Sequence, residues 1–137
     1  MWSERVYTEA VKRTAGLNKK RDVLQETVRI IRRKNMKVLI INGSPHKEGN
    51  TYIALKEMEK IFSEEGIESE IIQVGNKPIR GCTGCYACME KGQCVFGDCV
   101  NEIAPKFAEC DGLVIGSPVY YASANGTMIS FLDRLFY

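Results

Sequence analysis

Lys37-Val38-Leu39-Ile40-Ile41-Asn42 is an apolar run without alternation, and Gly43-Ser44-Pro45 follows it at once. A strand with one wet face alternates apolar and polar residues, whereas an unbroken run must be covered on both faces. That requirement calls for helices above and below a sheet of parallel strands. The rest of the chain supplies them. A helix starts near Asn50-Thr51, with a predicted core face of Ile53, Leu55, Met58, Ile61 and Phe62, and Gly66 is its stop signal. Glu70–Val74 reads as a second strand, and a cysteine-rich loop leads to a helix with Val100, Ile103 and Phe107 inward. Leu113–Gly116 is a third strand, and Thr127–Phe136 is an amphipathic helix built on Met128, Phe131, Leu132 and Leu135. This alternation predicts an α/β fold, a doubly wound parallel sheet in three layers. Ligands of such sheets bind beyond the carboxyl ends of the strands, which here means residues 43–51 and 117–126.

Two domains follow from the change in texture near Met36: a basic helical extension over residues 1–35 and the α/β domain over 36–137. The net charge of +2 hides an asymmetry, for residues 1–36 carry ten Lys/Arg against four Asp/Glu and the remainder nine against thirteen. Helices are predicted near 3–15, on Val6, Ala10 and Leu17, and near 20–34, on Leu24, Val28 and Ile31. The charge of this head reads as a solvated helix face and not as a nucleic-acid surface. The longest purely aliphatic run is Val38–Ile41, which excludes a membrane helix from the reading. The first twenty residues contain no apolar signal segment, so a reducing cytoplasm is expected. In that compartment six cysteines suggest metal ligands or reactive thiols more than disulfides.

The loop Gly43–Thr51 joins a buried strand to a helix N-terminus, where unpaired N–H groups and the positive dipole end favour a phosphate. Ser44, Asn50 and Thr51 add side-chain donors, and Gly43 and Gly49 permit close approach of backbone. No Lys-Ser/Thr pair follows Gly49, so this is not a Walker loop. No glycine lies between Gly43 and Gly49 either, and Val74-Gly75-Asn76 carries no acidic residue, which argues against a dinucleotide fingerprint. A mononucleotide phosphate fits best. At the other strand end, Tyr120 and Tyr121 follow a Ser117-Pro118 turn and offer a planar surface to a flat aromatic ligand.

"VLIINGSPHKEGNT" (38–51), and Gly116–Tyr121 with Asn125-Gly126 and Phe131-Leu132-Asp133-Arg134, resemble the two signatures of the NAD(P)H-dependent FMN reductase and iron–sulfur flavoprotein group. The resemblance covers about residues 37–137 and implies a flavodoxin-like fold. It implies an FMN whose phosphate rests on Ser44, His46, Asn50 and Thr51. The isoalloxazine would lie against Pro118, Val119, Tyr120 and Tyr121. The group often has Arg where His46 stands, and a neutral imidazole makes a weaker phosphate contact. The implied activity is an FMN-dependent oxidoreductase taking hydride from NAD(P)H and passing electrons to a small acceptor or an iron–sulfur centre. A homo-oligomer is expected, with no membrane or nucleic-acid partner, and no side chain is assigned as an acid or base.

Cys82-x2-Cys85-x2-Cys88-x5-Cys94 is dense, and its two-residue spacings let thiolates converge on one centre. The spacing resembles the compact motif of iron–sulfur flavoproteins, which implies a [4Fe–4S] cluster. It departs from the ferredoxin run, whose fourth cysteine comes three residues on and precedes proline. Zinc in a closed four-thiolate site, or free thiols, remain open readings of the same residues. Cys99 and Cys110 read as buried helix-face residues. A flavodoxin-like order 2-1-3-4-5 uses five strands, and three are legible, so the resemblance implies a domain incomplete at its C-terminus. Two other classes of function therefore stand beside the enzyme: an iron–sulfur or zinc electron-transfer module without turnover, and an inactive truncated fragment.

Overall fold

Lys37–Asn42 forms β1, and it is central: parallel β2 (Glu68–Gln73) pairs with one side of it and parallel β3 (Gly112–Gly116) with the other. The computed structural model describes residues 36–137 together with Asp22, Leu24, Gln25, Thr27 and Val28. Those five are helical and exposed. The helix predicted over 3–15, and Ile31 with the rest of the second, lie outside the described residues.

Period-two geometry splits β1 between two cores. Val38 and Ile40 face α1 (Asn50–Glu64), where Leu55 is buried and Phe62, Ile67, Ile71 and Val114 complete the cluster. Leu39 and Ile41 face α3 (Cys99–Glu109) and α4 (Gly126–Leu135), meeting Val100, Ile103, Met128 and Phe131. A short helix α2 (Ala87–Lys91) interrupts the cysteine loop, and a two-residue hairpin, β4 (Val119–Tyr120) with β5 (Ser123–Ala124), follows β3. The order β2-β1-β3 with helices on both faces is a flavodoxin-like arrangement. No helix among the described residues is long and apolar enough to cross a membrane.

The predicted face of α1 needs correction. Ile53, Met58 and Ile61 are exposed, and only Leu55 and Phe62 of that set enter the core. At roughly 100° per residue, Ile53 stands about 160° from Leu55 and Ile61 about 120°, so those five residues never shared a face. The second strand also begins two residues earlier than predicted and ends at Gln73, leaving Val74 fully buried just beyond it.

Gly66 ends α1 in a Schellman motif. Ile67 N–H donates to the Phe62 carbonyl at 2.8 Å and Gly66 N–H to Ser63 at 3.1 Å, with Gly66 at φ +72°. A side chain there meets the left-handed penalty, so Gly66→Ala is expected to cost about 1 kcal/mol. The check is a urea unfolding midpoint; an unchanged midpoint would contradict the motif's role.

Candidate functional site

Because β1, β2 and β3 end in register, Asn42 lies between Gln73 and Gly116 at the carboxyl edge of the sheet. Asn42 is fully buried, and a buried amide must spend its donors and acceptors. Its Nδ2 donates to Gln73 Oε1 at 2.6 Å, and its Oδ1 accepts from Ser44 N–H at 3.0 Å. Gln73 Nε2 in turn donates to the Ser44 carbonyl. Ser44 is thereby fixed from both sides, and its Oγ accepts from His46 N–H at 3.1 Å, which bends the loop.

The first loop is held against the second. Gly43 N–H donates to the Gly116 carbonyl at 2.7 Å, and Asn125 Nδ2 donates to the Gly43 carbonyl. Asn125 also caps α4, its Oδ1 accepting from Met128 N–H at 2.9 Å, while its own N–H donates to Ser117 Oγ at 3.0 Å. One buried asparagine thus joins both loops and one helix.

Ser44 and His46 lie on the loop and Asn50 and Thr51 open α1: Ser44 is buried, Thr51 half-buried, and His46 and Asn50 exposed. The N-cap of α1 is Gly49, which has no capping side chain, and the first turn contains no acidic residue. An anion placed there would meet a positive dipole end with no carboxylate in the first turn, although Glu48 directly precedes the cap. Pro118 follows β3, and Val119, Tyr120 and Tyr121 stand exposed on the hairpin. Tyr121 (φ +48°) and Ala122 (φ +61°) both hold left-handed backbone at its tip. Such backbone in non-glycine residues is costly and clusters where ligands bind. The hairpin was not predicted, since a two-residue strand carries no periodic signal.

Cys82 and Cys85 are exposed, Cys88 and Cys94 half-buried, and all are free thiols. All four open on one small apolar cleft shared with Tyr86, Phe96 and Tyr137. They line the same space without forming a coordination sphere: among the described residues, no three His, Cys, Asp or Glu side chains are placed to hold a metal ion. Gly84 and Gly92 have positive φ, and among the described residues nothing lies within 4 Å of a notional Cβ at either, so no neighbour packs against the loop at these two points. Tyr86 joins them in left-handed backbone, between Cys85 and Cys88. Cys99 lies on α3 against the core as predicted, and burial pushes its thiol pKa up. Cys110 instead follows the helix end, its thiol donating to the Phe107 carbonyl at 3.2 Å.

Sequence reasoning missed the ion pair beneath this loop. Arg134 contacts both Asp98 oxygens, at 2.5 and 2.9 Å, and its side chain is 1% exposed. Burial pushes the Asp98 carboxyl up, but Arg134 and the Val100 N–H outweigh it and hold the group below its ordinary 3.8. A depressed carboxylate stabilises the fold above its unfolded pKa and loses that contribution as pH falls through the lower folded value. Asp98→Asn is accordingly expected to flatten the loss of stability from about pH 5 to pH 2, read from urea midpoints. An acid limb as steep as the unsubstituted protein's would contradict this.

A family model described as NADPH-dependent FMN reductase matches residues 36–137. Among curated proteins, the chain is 42% identical over 99 residues to an iron–sulfur flavoprotein of Methanocaldococcus jannaschii, covering 72% of this chain and 51% of that one. It is 38% identical over 100 residues to one from Archaeoglobus fulgidus (73% and 46%) and 33% identical over 104 residues to one from Clostridioides difficile (72% and 45%). The chain spans about half the length of the curated relatives it matches. No solved structure gives a significant match.

Proposed function

The chain belongs to the NADPH-dependent FMN reductase family, and from that premise we propose that it holds FMN across its two strand-end loops as part of a flavin-dependent oxidoreductase. The observation that carries this reading is the uncapped start of α1 beside a buried, doubly anchored Ser44. A phosphate supplies what that helix end lacks, since it accepts from first-turn N–H groups and answers the dipole. Ser44, His46, Asn50 and Thr51 would hold it, and Pro118–Tyr121 would carry the ring.

The cofactor, when bound, accepts a hydride and releases electrons; the protein's part is to bind, orient and shield it. Asn125 sets the distance between the phosphate loop and the ring surface by joining Gly43 to the start of α4. Val119, Tyr120 and Tyr121 present apolar area that excludes water from one ring face. NAD(P)H is the proposed hydride donor, and a small molecule or an iron–sulfur centre the proposed acceptor.

Cys82, Cys85, Cys88 and Cys94 are the proposed ligands of that [4Fe–4S] centre. Four soft donors on one cleft, in a loop with two open glycines, support this assignment. The names of the relatives above point the same way.

Parallel titrations with FMN and riboflavin test the flavin site. FMN is expected to bind at least about tenfold more tightly, because only it brings charge-assisted bonds to the loop. Equal affinity would remove the phosphate loop from the account.

A further inference from the structure

Two side chains fasten the base of the cysteine loop: Asn101 Nδ2 donates to the Cys94 carbonyl at 2.8 Å, and Arg134 reaches both stems. Arg134 Nη1 donates to the Arg80 carbonyl at 3.2 Å, two residues before Cys82. Its Nη2 donates to the Phe96 carbonyl at 3.0 Å, two residues after Cys94, and both nitrogens engage Asp98 at the start of α3. The guanidinium also sits 5.2 Å from the Phe96 ring centroid, with Arg80 at 4.9 Å from the same ring. Nε is buried with no hydrogen-bond partner among the described residues. A buried donor left unpaired is costly, and such groups call for an explanation. Phe96, whose carbonyl and ring this guanidinium meets, lines the same cleft as Cys94.

We propose that Arg134 is the positioning residue of the cysteine loop, tying its two stems together and setting a fixed positive charge beside Cys94 for a net-anionic four-thiolate iron–sulfur centre. The proposal rests on the cluster reading above. Three observations converge on it: the same guanidinium reaches both stems, it is withdrawn from water, and it retains an unused donor. An N-cap partner for Asp98 alone would need neither the Arg80 contact nor the Phe96 contact. A cation held this close favours the more reduced, more negative state of a cluster, and outer ligands of metal sites govern how firmly the metal is kept.

The test compares the unsubstituted protein with Arg134→Met and Arg134→Lys after anaerobic reconstitution with ferrous iron and sulfide. Iron content, release of iron to a chelator and the cluster's midpoint potential are read, together with amide exchange of the apo-proteins. Arg134→Met is expected to release iron roughly 10- to 100-fold faster. Its potential is expected to become more negative, and amides of residues 81–98 to exchange faster while those of β1 do not change. Arg134→Lys keeps the charge and so the potential, but loses the stem contacts and releases iron faster. Should Arg134→Met fail to fold, the lysine variant still decides the staple through exchange and release. Iron uptake by all three proteins with unchanged release and potential would overturn the proposal, and so would loosening spread equally over β1. Absence of iron from the unsubstituted protein would be a different failure, ending the four-thiolate reading and this role with it.

Discussion

Gly75→Ala is expected to deprive the protein of bound FMN and to cost about 1–3 kcal/mol of stability. A β-carbon at Gly75 would lie 2.2 Å from the Gly43 and Ser44 carbonyl oxygens and 2.3 Å from the Ser44 carbonyl carbon. All three are backbone atoms, so no rotamer change relieves the collision; the 43–44 segment must move. That segment is also where Asn42 and Gln73 fix Ser44 and where Asn125 joins the two loops. Contacts of 2.2 Å must open by most of an ångström to become tolerable, and that shift would reach the proposed phosphate ligands and the proposed ring surface together. Gly126→Ala is the control, because nothing lies within 4 Å of its notional Cβ. Flavin titration and urea unfolding should separate the two variants. An alanine at Gly75 that binds FMN as tightly as the unsubstituted protein would contradict the described loop geometry.

Asn125→Ala is expected to cost about 2–4 kcal/mol, combining a lost helix cap with buried groups left unpaired. Alanine leaves Met128 N–H without its acceptor and the Gly43 carbonyl without one of its donors, at a site only 4% exposed. Asn125→Ser distinguishes the two roles, since a hydroxyl can still cap α4 but cannot span to Gly43. The serine variant should recover most of the stability and little of the FMN affinity, because the hairpin 119–124 would no longer be referenced to the phosphate loop. Recovery of both by serine would show that Asn125 acts only as a cap.

How much of this was legible in the sequence depends on range. β1, β3 and α4 follow from runs and periodicities within a few residues of themselves, and each appears within about a residue of its predicted bounds. The face of α1 did not, because any scattered apolar residues on a helix can be mistaken for a stripe. Only the sheet beneath decides that Leu55 and Phe62 are the buried ones. The candidate ligands of both loops were visible because strand-to-helix junctions announce themselves by glycine, serine and asparagine. Their supports were not. Asn42 and Gln73 become partners through strand register, and Asn125 meets Gly43 across 82 residues of chain. Arg134 entered only as the last residue of the Phe131-Leu132-Asp133-Arg134 stretch, with no role assigned, although it is buried and reaches Phe96 and Arg80 across 38 and 54 residues of chain. A polar residue closing an apolar run, as Asn42 does, is the signal that could have found the first of these.

The central claim is that FMN sits across the Gly43–Thr51 and Pro118–Tyr121 loops. Its most direct test is an anaerobic visible spectrum of the protein after addition of FMN and removal of unbound cofactor. The account predicts retained flavin absorption that is lost in Gly75→Ala and kept in Gly126→Ala, with bleaching when NADH or NADPH is added. A colourless protein, or flavin retained equally by both glycine variants, would contradict it.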